Sequence, residues 1–274
     1  MPRTSSRDRR TRRRVAVSGL IAAVVVAVVS IGLVSHGSPS SSPSGESMPV
    51  GDLPGWRQTF TEDFTSNVAE GGFPGAYEKN WLSYNGFADT DGKALYDQSI
   101  ISAHDGMLDL HLHTKDGTRR GAAPVPLVDH VWGGQKYGRF TVRMRADDVQ
   151  GYGAAFLLWS DANNWDDGEI DFPEAALGAN VTAHNHCPGD PSKNCLNVET
   201  STTMSKWHTY TIEWKPNSLV YLLDGHKVAS TTHDVPTKAM HWVMQVGSMG
   251  TEDASASGHL LIDWAAIYAY DPAT

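Results

Sequence analysis

"WHTYTIEWKPNSLVYLLDGHKVASTT", residues 207–232, holds three short runs divided by turn residues. In the first, Tyr210, Ile212 and Trp214 alternate with Thr209, Thr211 and Glu213, the period of two of a strand with one buried face. "KPNS" (215–218) and "DG" (224–225) separate the runs, and Asp-Gly between alternating runs is a strong signal for a tight hairpin. The stretch therefore predicts an antiparallel meander.

The same pattern extends outward. "GRFTVRMRA" (138–146) sets Phe140, Val142 and Met144 against Thr141, Arg143 and Arg145. "MLDLHLHT" (107–114) sets Leu108, Leu110 and Leu112 against Asp109, His111 and His113. "AAFLLWS" (154–160), "VTAHNH" (181–186), "MHWVMQVGSMG" (240–250) and "HLLIDWAAIYAY" (259–270) also read as strands. Helical periodicity is confined to the N-terminal apolar segment. Many short strands joined by turns predict an all-β antiparallel sandwich or barrel.

The first fifty of the 274 residues differ in kind. Residues 1–14 are a basic head with seven arginines, and 15–35 form an apolar segment whose uncharged core is "VAVSGLIAAVVVAVVSIGLV". A segment of ~20 apolar residues is long enough to span a bilayer, and longer than the core of most cleaved signals. Anchor and signal peptide both remain open, and both make the remainder extracytoplasmic. Residues 36–52, rich in Ser and Pro, read as a flexible linker, and 53–274 as one domain.

Without the head's seven arginines and Asp8, the 22 basic and 31 acidic residues become 15 and 30. Such an acidic surface disfavours nucleic acid and anionic lipid as partners but does not repel neutral sugars. Membrane contact is then expected only through an uncleaved N-terminal segment, and the body is expected to be monomeric. Cys187 and Cys195 in "NHCPGDPSKNCLN" (185–197) predict a disulfide closing a Pro/Gly loop in an exported protein.

"GEIDFPE" (168–174) carries three acids. Glu169 and Asp171 share a face by alternation, whereas Glu174 falls on the other. One β-bulge at Phe172–Pro173 would restore the parity and make a row of three carboxylates, and proline is tolerated in strands mainly at bulges and edges. Like charges in a row are unfavourable unless one or more holds a proton. Paired carboxyls ~5–5.5 Å apart suit a retaining glycosidase.

These residues resemble the bulged E-x-D-x-x-E signature of laminarinase-like members of glycoside hydrolase family 16. "KYGRFTVRMRA", "GYGAAFLLW", "NNWDDGEIDFPE", "WHTYTIEW", "VYLLDG", "MHWVMQV" and "LIDWAAIYAY" follow the family's order over about 57–270. The resemblance implies a concanavalin-like β-jelly roll of two antiparallel sheets with a glycan cleft. It implies a retaining endo-glycosidase acting on internal β-glycosidic bonds of a polysaccharide, most simply a β-1,3- or mixed β-1,3/1,4-glucan. A wall-remodelling transglycosylase and a non-catalytic glucan-binding module are the alternatives.

Carried over, Glu169 is the nucleophile, Glu174 the acid/base, and Asp171 tunes both, with the Glu169 anion expected to keep Glu174 protonated. Pro173 departs from the Met more usual in laminarinases. Trp165, Trp132, His186 and Gln245 are the expected substrate-binding residues, with Trp159 either cleft or core. Trp207, Trp214 and Trp264 are assigned to packing, and His208 to a structural partnership. The resemblance implies no required cofactor and allows a structural calcium near the joined chain ends, with Asp263 a candidate ligand. His111 and His113 have zinc-ligand spacing, but surface strand histidines are common and no metal ligand set is assigned.

Overall fold

The computed structural model describes residues 42–249 and 255–274. Two main sheets account for the domain. The smaller has five strands in the order Asp190–Thr203, Asn180–Cys187, Glu169–Ala176, Tyr152–Ser160 and Met240–Ser248, each antiparallel to the next. The larger has ten strands and starts at the predicted meander: His226–Thr231, Ser218–Leu223 and His208–Lys215. It continues through Gly138–Ala146, Gly258–Tyr270 and Met107–Lys115. The short strands Ala94–Tyr96 and Thr118–Gly121 pair in parallel. Asp224 and Gly225, with φ of 49° and 76°, both take the left-handed conformation that a two-residue hairpin turn demands.

Alternation decides which residues meet between the sheets. Phe140, Val142, Met144, Tyr210, Ile212 and Trp214 from the larger sheet share one buried cluster with Phe156, Leu158, Ile170, Phe172, Trp242 and Met244 from the smaller. Phe172 stands edge-on to Tyr210 at 5.5 Å, and Phe140 edge-on to Trp242 at 5.7 Å. Burying an aromatic of this size contributes on the order of 2–3 kcal/mol, so these contacts hold the layers together. Trp214 and Trp264 are core as expected. Trp207 is only half-buried and carries the Arg145 guanidinium 5.7 Å over its ring.

Two expectations are corrected. The stretch read as a Pro/Gly loop is a hairpin: one strand ends at Cys187, and the next, Asp190–Thr203, forms the sheet edge. Its sequence hides it because most of its side chains are partly or fully exposed, so no apolar alternation is required. The linker, where it is described, is a strap bound to the larger sheet. Ser44 Oγ and Glu46 Oε2 each lie 2.6 Å from the Arg143 guanidinium, and Trp264 Nε1 donates to the Glu46 carbonyl at 2.8 Å. Arg143 is 9% exposed, and a buried guanidinium needs acceptors, which the strap supplies. The head, the apolar segment 15–35 and residues 36–41 lie outside the described residues. Among the described residues, no helix is long and apolar enough to cross a membrane.

Candidate active site

The central strand of the smaller sheet, Glu169–Ala176, turns Ile170 and Phe172 toward the core. Asp171 pairs with His184 and Leu157, and Glu174 with Thr182 and Ala155, so three steps on this strand oppose two on either neighbour. The extra residue lies in the segment holding the cis Phe172–Pro173 peptide. It returns Glu174 to the face of Glu169 and Asp171, and all three line one cleft. Gly168 introduces the strand with φ of 88°, and a Cβ there would come 3.0 Å from the His186 carbonyl oxygen.

Burial raises the pKa of all three acids in the row. It pushes Asp171, 1% exposed, well above the usual carboxylate range, reinforced by the charges of Glu169 and Glu174 and a hydrogen bond with Glu169. Glu169 is raised by burial, against lowering by the Asp171 hydrogen bond, the neighbouring His186 and a hydrogen bond with Trp165. Glu174 is raised by burial, with His186 acting the other way. The largest cause of the rise at Glu174 is thus burial. Two hydrogen bonds favour the anion at Glu169, whereas Asp171 is the acid kept neutral between them.

The adjoining strand supplies two histidines on the same side. His186 Nδ1 donates to the Pro191 carbonyl at 2.8 Å, which leaves Nε2 facing Asp171 Oδ2 at 3.5 Å. His184 Nε2 lies 3.3 Å from Glu174 Oε2 and 2.7 Å from Thr182 Oγ1. Burial and nearby His186 lower the His184 pKa, which favours the neutral ring beside the acid. The sequence comparison singled out His186; His184 is the one that touches Glu174.

Trp165 stands 45% exposed at the cleft mouth, its ring 6.2 Å from that of His186. The loop bearing it is tied by Ser160 Oγ donating to Asp167 at 2.6 Å. Trp159 faces the cleft, and its Nε1 donates to Asn163 at 2.9 Å. Gln245 lines the cleft too, its Oε1 accepting from the Tyr96 hydroxyl at 2.5 Å. Trp132 does not join the group around the acids. It packs 4.7 Å from His241, whose Nε2 is 3.2 Å from the hydroxyl of cleft-lining Tyr84. Sequence reading missed the wall made by Tyr84, Phe87, Thr90 and Tyr96. Its only signal was a cluster of aromatics in a segment without period.

Cys187 and Cys195 are bonded, clasping the hairpin beside His186. His208 pairs with Asp224 at 2.7 Å across the meander. Asp263 is buried beneath the strap, where its Oδ2 accepts from the Ser42 and Ser44 hydroxyls. Within the cleft, Glu169, Asp171 and His186 each offer an atom within 4.8 Å of the others, spacing that a metal ion could use.

Residues 132–266 match the sequence model of Glycosyl hydrolases family 16. A beta-glucanase of Acetivibrio thermocellus is 31% identical over 109 residues, 36% of this chain and 30% of that protein. A beta-glucanase of Bacillus subtilis is 27% identical over 107 residues, 37% of this chain and 43% of that protein. The chain therefore spans less than half the length of these curated relatives. Among solved structures, a laminarinase from Flavobacterium sp. UMI-01 superposes with a TM-score of 0.64 at 17% identity, covering 77% of this chain and 100% of that one. A β-1,3-1,4-glucanase (lichenase) from a mouse hindgut metagenome gives 0.60 at 21% identity, covering 78% and 98%. The fold is the jelly roll of these enzymes.

Proposed function

We propose that the protein is an extracytoplasmic, retaining endo-β-glucanase that cuts internal bonds of a β-1,3- or mixed β-1,3/1,4-glucan. The observation that carries this reading is the bulged row Glu169–Asp171–Glu174 on the face of one cleft, with a buried, proton-holding acid in the middle. Glu174, whose pKa burial raises, gives its proton to the glycosidic oxygen as Glu169 attacks the anomeric carbon. The C–O bond to the leaving sugar breaks and an ester to Glu169 forms. Glu174, now a carboxylate, takes a proton from water, which cleaves the ester and restores both groups. Asp171 donates to Glu169 and limits the pKa rise that burial would impose on the nucleophile.

Residue types around the row fit a sugar chain. Trp165 and Trp159 present flat faces on which pyranose rings stack, and Gln245 has an amide for hydroxyl groups. The cleft continues past Glu174 between Asp89, Thr90 and Gly153–Ala155, so glucan can extend on both sides of the scissile bond. That is the layout for internal cleavage. No step requires a metal ion or cofactor. Export is supported by the disulfide and by the basic-then-apolar N-terminus.

The test is reducing-end release from laminarin, lichenan, xyloglucan, agarose and arabinogalactan, with Glu169→Gln and Glu174→Gln as controls. Laminarin or lichenan should be cut by the wild type alone, at rates orders of magnitude above either variant. Glucan binding without cleavage on any substrate would instead make the domain a binding module.

A further inference from the structure

On the outer face of the larger sheet, remote in the fold from the cleft strand, imidazoles crowd together. His111 and His113 lie on one face of Met107–Lys115, opposite the core-facing leucines, with ring centroids 4.4 Å apart. His259, paired in register with His111, stacks on it at 4.7 Å and 9°. A turn at Ala69–Gly72 presents Glu70 to the same place. It is closed by Gly72 N–H donating to the Ala69 carbonyl at 2.9 Å and anchored by paired bonds between Val68 and Ala103. One Glu70 oxygen and one nitrogen from each of His111 and His113 lie within 4.8 Å of one another.

The ring nitrogens are sorted as a metal site requires. His113 Nδ1 donates to the His111 carbonyl at 2.8 Å, which leaves Nε2 with a free lone pair. His111 Nε2 faces Ser257 Oγ at 3.4 Å, while its Nδ1 faces Glu70 Oε2 at 3.4 Å. Two ligands ~2.05 Å from a tetrahedral zinc ion stand about 3.3 Å apart. A separation of 3.4 Å is long for a charge-assisted hydrogen bond, normally about 2.7–2.9 Å, yet matches that edge. Hydrogen-bonding the second nitrogen of a ligating histidine to a protein oxygen is the usual way its orientation is fixed, as at His113. His259 is otherwise engaged, its Nδ1 2.8 Å and 3.1 Å from the two Asp109 oxygens.

From this arrangement we infer that Glu70, His111 and His113 form a binding site for a zinc-class divalent transition metal, tying the 69–72 turn to the outer sheet. The ligand set is one carboxylate and two imidazoles, and the remaining position is open to water. Imidazole ligands select against calcium and magnesium, which take oxygen. The site uses none of the cleft residues.

Equilibrium dialysis of the untagged full-length chain in detergent against zinc chloride, with metal analysis, tests it. One zinc per chain should bind to the wild type and to His186→Asn, which removes the other metal-capable cluster. Glu70→Gln, an exposed change that leaves the fold alone, and His113→Gln should each weaken binding by at least about tenfold. Zinc, but not magnesium, should raise the Tm of the wild type and not of Glu70→Gln. Failure of the wild type to bind zinc, retention of full affinity by both Glu70→Gln and His113→Gln, or loss of the ion in His186→Asn would overturn the assignment.

Discussion

Replacing Asp171 separates its two duties, donating a hydrogen bond and remaining uncharged. The side chain is 1% exposed and bonded to Glu169, and that bond is the largest influence opposing the rise of the Glu169 pKa. A hydrogen bond to a charged group contributes about 1.5–3 kcal/mol, and one pKa unit corresponds to about 1.4 kcal/mol. Asp171→Leu, similar in size but with no donor, should therefore move the acid limb of kcat/KM upward by about one to two pH units. It should also lower the plateau rate, because about 1.4 kcal/mol of lost transition-state stabilisation is a factor of ten. Asp171→Asn keeps an N–H donor and should move the limb less, while still losing rate. The assay is a pH–rate profile on soluble laminarin for wild type and both variants, with thermal melts confirming the fold. Identical acid limbs in all three would refute the claim that Asp171 acts by donating to Glu169.

Deleting Pro173 removes the extra residue of the bulge and should drive Glu174 through the sheet into the core; loss of activity and of soluble protein is expected, read by assay and by melting. Phe172→Ala empties the space against Tyr210 and Tyr221 and should cost about 3–5 kcal/mol, seen as a lower denaturation midpoint with KM little changed. Cys187→Ser with Cys195→Ser opens a short loop closed over a separation of 8 residues and should cost about 2.5 kcal/mol, a Tm drop of roughly 5–10 °C. Glu169, Asp171 and Glu174 all have raised pKa values in the folded state, so their protons favour folding. That contribution is complete below the unfolded carboxyl range and is lost as pH rises through the raised values. Wild-type Tm should consequently fall, as pH rises above the ordinary carboxyl range, by more than that of Glu174→Gln.

What the sequence reveals follows from which side chains must alternate. Strands with one face in the core, such as Gly138–Ala146 and His208–Lys215, announce themselves because burial forces Phe140, Val142, Tyr210 and Ile212 to every second position. The acid row was legible because Glu174 broke parity beside a proline. Asp190–Thr203 was not, since an edge strand facing water carries no such constraint. The strap was hidden for a related reason: Arg143 fixes it, and nothing in a Ser/Pro-rich run points to a distant guanidinium. The cleft wall from Tyr84 to Tyr96 and the turn carrying Glu70 are set by tertiary placement alone. His184 lay on the correct face, but only geometry distinguishes its 3.3 Å contact with Glu174 from the place of His186 nearer Asp171.

The double displacement at Glu169 is tested most directly by trapping its ester. A 2-deoxy-2-fluoro β-glucosyl oligosaccharide with a good leaving group forms the intermediate and then stalls, because fluorine at C2 destabilises the transition state of the second step. Mass mapping after proteolysis should find one added glycosyl group on the peptide holding residues 168–174, located at Glu169 by fragmentation. Glu174→Ala should still accumulate the adduct, since that leaving group departs without acid help. Label on Glu174, or no covalent adduct together with inverted anomeric configuration in the products, would contradict the account.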